Sequence, residues 1–149
     1  MDRFAVRLSL GYVSAEAEVA IVSAQGEAHP LDSLAACVSV NEVRALKREV
    51  KAVRISEELK RYAVDLARAT RGAPSVQLGA GPRASLALTR MAQALALVQG
   101  NDFVTPDHIR EMAVSVLAHR ISLDPSAKFA GRTAADVVAE ILKTVAAPA

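Results

Sequence analysis

The sequence predicts a mainly α-helical fold, a bundle of four to five helices preceded by one strand and one helix. Three observations carry this. Hydrophobic residues make up 52% of the chain, yet aromatics are only 3% and Trp is absent; an interior of Ala, Val and Leu suits closely packed helices better than a β-sandwich. Helix-capping residues recur from Ser39 onward, each followed by apolar positions at helical spacing. Strand-like alternation occurs only near the start, over residues 4–10. A chain of 149 residues is one domain, or one domain with a remnant of another, and at this size it buries roughly 70% of its unfolded surface.

Taken in order, residues 4–10 place Val6, Leu8 and Leu10 on one side and Arg7 and Ser9 on the other, the period of a strand. Gly11 and Tyr12 end it, and Ser14 caps a helix over 14–25 with Glu16 and Glu18 in its first turns. A loop with Gly26, His29 and Pro30 follows. Ser39 and Glu42 form a capping box ahead of Val43, Leu46, Val50 and Val53. Ser56 caps the next helix, which buries Leu59, Ala63, Leu66 and Ala67 and stops at Arg71-Gly72-Ala73-Pro74. From Pro82 to Val98 apolar residues lie nearly all round the helix, which marks it as the central one. Pro106 at N1 behind Thr105 starts another helix, with Ile109, Met112, Val116 and Leu117 facing inward. The chain turns extended through 121–123, and Gly131 and Thr133 open a last helix with Val137, Val138, Ile141, Leu142 and Val145 as its stripe. A lone strand in a helical chain lacks partners, so stretch 4–10 is expected to fold back on the bundle, swap between chains or be poorly ordered.

Composition excludes several functions. Eighteen basic against sixteen acidic residues give a net charge of +2 with no basic stripe, which argues against a nucleic-acid binder, a helix-turn-helix reading around Gly100 included. The single Cys37 excludes an internal disulfide and fits a reducing compartment. The alternating residues after Met1 lead to the expectation of no secretory leader, and no stretch approaches the ~18 apolar residues of a membrane span. There is no G-x-x-x-x-G-K-[ST] loop. His29, His108 and His119 lack the spacing of a metal site and read as surface or second-row helix residues, so no metal site is expected.

The most informative stretch is Gln77-Leu78-Gly79-Ala80-Gly81-Pro82-Arg83-Ala84. It sets a guanidinium beside a helix N-terminus, where backbone N–H groups already favour an anion. A phosphate would satisfy both; a solvated first-turn arginine is the plain structural reading. Arg3, Asp107 and the His119-Arg120 pair also have ordinary explanations, as a solvated terminal residue, a carboxylate in a first turn and cations near a helix end.

Together these blocks resemble the C-terminal part of a MoxR-type AAA+ ATPase. The likeness is carried by Met1-Asp2-Arg3-Phe4, by Leu8-Ser9-Leu10-Gly11-Tyr12 and by Glu16-Ala17-Glu18. It continues through Leu78 to Ala84, Asp102 to Ile109, and Val116-Leu117-Ala118-His119-Arg120, in the family's order over most of the chain. The resemblance implies that residues 1–37 are the end of the nucleotide-binding α/β core and residues 38–149 its α-helical lid. Arg83 matches the sensor-2 arginine that reaches the nucleotide phosphates, with Gly79, Gly81 and Pro82 shaping its turn. Arg3 matches an arginine-finger candidate acting on the neighbouring subunit's nucleotide. Where the family usually has Ser this chain has Gly81, which removes a possible capping hydroxyl worth a few tenths of a kcal/mol.

The implied function is a nucleotide-sensing lid that couples ATP binding and hydrolysis to chaperone-like remodelling or maturation of a client protein. ATP and Mg belong to the complete ATPase; this chain alone is expected neither to catalyse nor to bind them tightly. The implied partners are neighbouring AAA+ subunits in a hexameric ring and the client, in the cytoplasm, with no nucleic acid and no membrane insertion. The alternative is a free-standing helical interaction or adaptor module.

Overall fold

A computed structural model describes residues 3–25 and 29–148. The chain divides into two compact units, Leu8–Leu46 and a larger one made of Met1–Arg7 and Lys47–Ala149.

In the smaller unit, helix α1 spans Ala15–Ala24 and is capped by Ser14, whose hydroxyl accepts from the Ala17 N–H at 3.3 Å. A single 3-10 turn follows at Pro30–Ser33. Helix α2, Val40–Ala52, starts here with the expected reciprocal box. The Ser39 N–H donates to Glu42 Oε2 at 2.6 Å, and the Glu42 N–H donates to Ser39 Oγ at 3.2 Å. Val43 and Leu46, on its apolar spacing, are exposed.

The larger unit is the bundle. Its main helices are α3 (Glu57–Gly72), α4 (Pro82–Val98), α5 (Pro106–Leu117) and α7 (Ala134–Thr144), with a short α6 at Pro125–Phe129. Helix α4 packs between α3 and α5, and α7 closes the bundle against the same two. Ala84, Ala92 and Ala96 of α4 are fully buried, so small side chains let its neighbours approach closely. The core's bulk comes from Leu66, Leu88, Ile109, Val116, Leu117, Val137 and Val138; each buried Leu or Ile contributes about 1.5–3 kcal/mol. Leu86 and Val98, on the outer side of α4, stay exposed.

Two expectations need correction, and the extended reading of 121–123 is borne out. Residues 4–10 form no strand: alternation is present, but among the described residues no second strand pairs with them, and an unpaired strand is not stable. Their first part instead lies along the end of α5, the Arg7 N–H donating to the Ser115 carbonyl at 2.9 Å, while Leu8 and Leu10 are exposed. The extended stretch at 121–123 does find a partner: β2 (Ser122–Leu123) pairs antiparallel with β1 (Val76–Leu78), with Val76 opposite Leu123. His108 is not a surface or second-row residue but 5% exposed. It takes the place of Glu in a capping box, its Nδ1 accepting from the Thr105 N–H at 2.9 Å while Nε2–H donates to Gln99 Oε1 at 2.9 Å.

Candidate functional site

The turn ahead of α4 is held rigidly against the end of α3. Thr70, fully buried, accepts the Ala80 N–H at 2.8 Å and donates its own hydroxyl to the Ala67 carbonyl at 2.6 Å. Arg71 Nε donates to the Ala80 carbonyl at 2.9 Å, so both backbone groups of Ala80 are bonded. Gly79 lies so close beneath that a Cβ there would come within 2.6 Å of Arg71 Cα and 2.7 Å of its nitrogen. Glycine is needed at 79 for close approach. Gly81 is different: as N-cap of α4 it has φ −79° and ψ 176°, a conformation open to any residue, and a Cβ would meet nothing within 4 Å. Pro82 follows at the head of the helix.

This scaffold sets Arg83 in the first turn of α4, exposed, beside a cleft of about 460 Å³. Arg3 lines the same cleft, with Arg90, Arg120, Ala5, Leu86, Ala87 and Met91. The two arginines singled out from sequence are thus brought to one place, although 79 residues of chain intervene. Among the described residues, four guanidiniums and no carboxylate border it. Such a set of fixed, permanent cations raises the local concentration of an anion, and its planar donors match phosphate oxygens. It suits a nucleotide's phosphates, and its described residues offer no oxygen-rich ligand set for Mg²⁺.

Arg90 and Arg120 were not anticipated as members of this site. For Arg90 the signal was available: it lies seven residues, two helical turns, after Arg83 on one face of α4. Arg120 could not be placed from sequence, because it belongs to the 3-10 turn Ala118–Arg120 after α5 and reaches the cleft only through the bundle's packing. A larger groove, about 650 Å³, adjoins it along α4, sharing Leu86 and Arg90, and holds two further cations in ion pairs. Arg54 pairs with Asp102 at 2.8 Å and Lys60 with Glu57 at 2.7 Å. Among the described residues, no group of three or more His, Cys, Asp and Glu side chains converges as a metal site would need.

Helices packed around an alanine-rich central helix, with a basic cleft at its N-terminus, define a class, and comparison with known families gives the same one: the AAA lid domain, matched over residues 68–141. Within that class the relatives are specific. The chain is 41% identical over 148 residues to uncharacterized protein YeaC of Bacillus subtilis, covering 99% of this chain and 46% of that protein. It is 31% identical over 156 residues to chaperone MoxR1 of Mycobacterium tuberculosis, covering 99% and 41%. The solved structure of a "putative ATPase" from Cytophaga hutchinsonii superposes with a TM-score of 0.84 at 31% identity, covering 99% of this chain and 48% of that one. The chain belongs to the MoxR-type AAA+ ATPases and corresponds to their C-terminal lid portion. It spans about half the length of the relatives it matches along its whole length.

Proposed function

We propose that this chain is the nucleotide-responsive lid of a MoxR-type ATPase, and that Arg83 and Arg3 act as its phosphate contacts. The observation that carries this reading is their common cleft. Two guanidiniums from distant parts of one chain, facing one opening, serve a single polyphosphate rather than two separate ones. Arg83, carried on a helix anchored by Thr70 and Arg71, reports on the phosphate to the whole bundle. Arg3 comes from the segment ahead of the lid and lines the same cleft. As sensor-2 arginine and arginine finger, the pair bridges to the nucleotide of a neighbouring subunit in a ring, for which a hexamer is the expected arrangement.

ATP with Mg, when bound to the complete ATPase, supplies the phosphoryl group whose transfer drives the cycle. The lid's residues supply two things. Their fixed positive charge stabilises negative charge that develops on the phosphoryl oxygens. Gly81 and Pro82 then start α4 at a set angle, so a change in charge at the cleft is transmitted to the bundle as rotation of a rigid body. The cytoplasm, with its reduced Cys37, is the expected setting. The chaperone name of the Mycobacterium relative supports a client-remodelling or maturation role for that movement.

In the assembled ATPase that carries this lid, Arg83→Ala is expected to leave oligomerisation intact and to lower ATP turnover by roughly 10²- to 10³-fold. Steady-state kinetics beside size-exclusion chromatography decide it. Turnover equal to that of the unaltered protein overturns the sensor assignment.

A further inference from the structure

Arg3 sits in the cleft because something holds the segment around it, and that something is not hydrophobic burial. Phe4 is 70% exposed, so its ring contributes little to docking. The segment is held by polar contacts to the end of α5 and the turn after it. Arg120, 9% exposed, sends Nη2 to the Phe4 carbonyl and also to the Ala5 carbonyl at 3.3 Å. The Arg7 N–H donates to Ser115 O at 2.9 Å. His119 lies between the Phe4 and Ser115 carbonyls, 3.1 Å from each through Nε2 and Nδ1. Both are acceptors, so a neutral imidazole, with one N–H, serves one of them at a time. Arg120 holds Phe4 whichever way the ring donates.

We propose that Arg120 is a positioning residue: by gripping the carbonyls of Phe4 and Ala5 from the edge of the core, it fixes the Arg3 guanidinium beside Arg83. The inference rests on the reading of the cleft as a phosphate site. It goes beyond it by tying the arginine finger to the lid through one buried side chain, so that the two phosphate contacts move as one body. Arginine suits the task because both bonds come from Nη2, whose two N–H groups are fixed in the guanidinium plane, whereas an ammonium's donors rotate on a flexible stem. Released from Arg120, the segment keeps, among the described contacts, the Arg7 amide and one alternating His119 bond, and Arg3 loses its defined place.

The test is a double-mutant cycle in the assembled ATPase, with Arg120→Lys, Arg3→Ala and the pair combined. Arg120→Lys keeps the charge and is expected to lower kcat by up to about 10²-fold, the scale of a displaced catalytic group, with less change in KM for ATP. The double variant should be no slower than Arg3→Ala alone, because Arg120 acts only through Arg3. Amide exchange gives a second readout: the Arg7 N–H should lose protection in Arg120→Lys while the amides of α4 and α5 keep theirs. If Arg120→Lys does not fold, His119→Ala carries the same exchange measurement and is expected to deprotect Arg7 more weakly. Losses that multiply in the double variant, or an Arg7 amide that stays protected in the variant measured, overturn the positioning role alone. Unaltered turnover in Arg3→Ala removes the phosphate reading, and this inference with it.

Discussion

Gly79 and Gly81 sit two residues apart and have opposite reasons to be there. At 79 a methyl group would strike the backbone of Arg71, which cannot swing away because Arg71 and Thr70 are themselves tied to Ala80. Gly79→Ala is therefore expected to cost about 1–3 kcal/mol, as overpacking does, and to lower Tm by about 2–10 °C at this chain length. At 81 there is room and an ordinary backbone conformation, and the N-cap lacks a side-chain acceptor. Gly81→Ser should raise stability by a few tenths of a kcal/mol through a new cap, with the fold unchanged. Thermal unfolding of the two variants side by side checks both, and an equal fall in Tm would contradict the assigned difference. The glycine-rich turn was plain in the sequence, but not which glycine was structurally required. That depends on α3 passing beneath the turn, a contact that no local pattern encodes.

Helix ends show where sequence reading works and why. Ser39, Ser56, Thr105 and Thr133 each precede a helix that starts where the pattern places it, because a cap is a local interaction spanning three residues. Pro82 likewise marks the first residue of α4, and Gly100, with φ +78°, lies just past its end. Strands behave otherwise. Val76–Leu78 became a strand only through Ser122–Leu123, more than forty residues on, whereas the better alternation at 4–10 found no such partner. The caps also carry a pH dependence. Hydrogen bonds from the Ser39 backbone and hydroxyl hold the Glu42 carboxyl below its ordinary 4.5. The Thr133 hydroxyl and backbone hold Asp136 below 3.8. A carboxyl whose folded value is depressed stabilises the fold above its unfolded value and loses that contribution as pH falls through the folded one. Far-UV circular dichroism should thus show helix loss setting in below about pH 4.5. The Glu42→Gln, Asp136→Asn double variant should lose less helix than the parent between pH 5 and 3, both measured under conditions of about equal salt. A variant that follows the parent's acid curve would show that these caps do not govern it.

At the scale of the whole molecule, the bundle was legible because its helices are regular and amphipathic, and the family resemblance lay in residues distributed along the entire chain. The cleft was legible only in part. Arg3 and Arg83 stood out by motif, but their meeting, and the presence of Arg90 and Arg120 beside them, follow from how α4 and α5 pack. That geometry bounds what this chain can do by itself. The cleft's cations are mostly at the surface, where each charge contact contributes about 0.2–1 kcal/mol. The three exposed ones, Arg3, Arg83 and Arg90, reach at most about 3 kcal/mol, which corresponds to a dissociation constant of several millimolar. No Gly-rich phosphate loop in this sequence adds a cradle of backbone N–H groups to them. The 149-residue chain is therefore expected to bind ATP no more tightly than the millimolar range and to hydrolyse none. The weak binding should fade as salt is raised, since exposed charges are screened within about 8 Å at physiological ionic strength. Isothermal titration calorimetry with ATP at low and at physiological salt is the measurement. A micromolar constant that survives the added salt would mean that the lid holds nucleotide through contacts other than this arginine cleft.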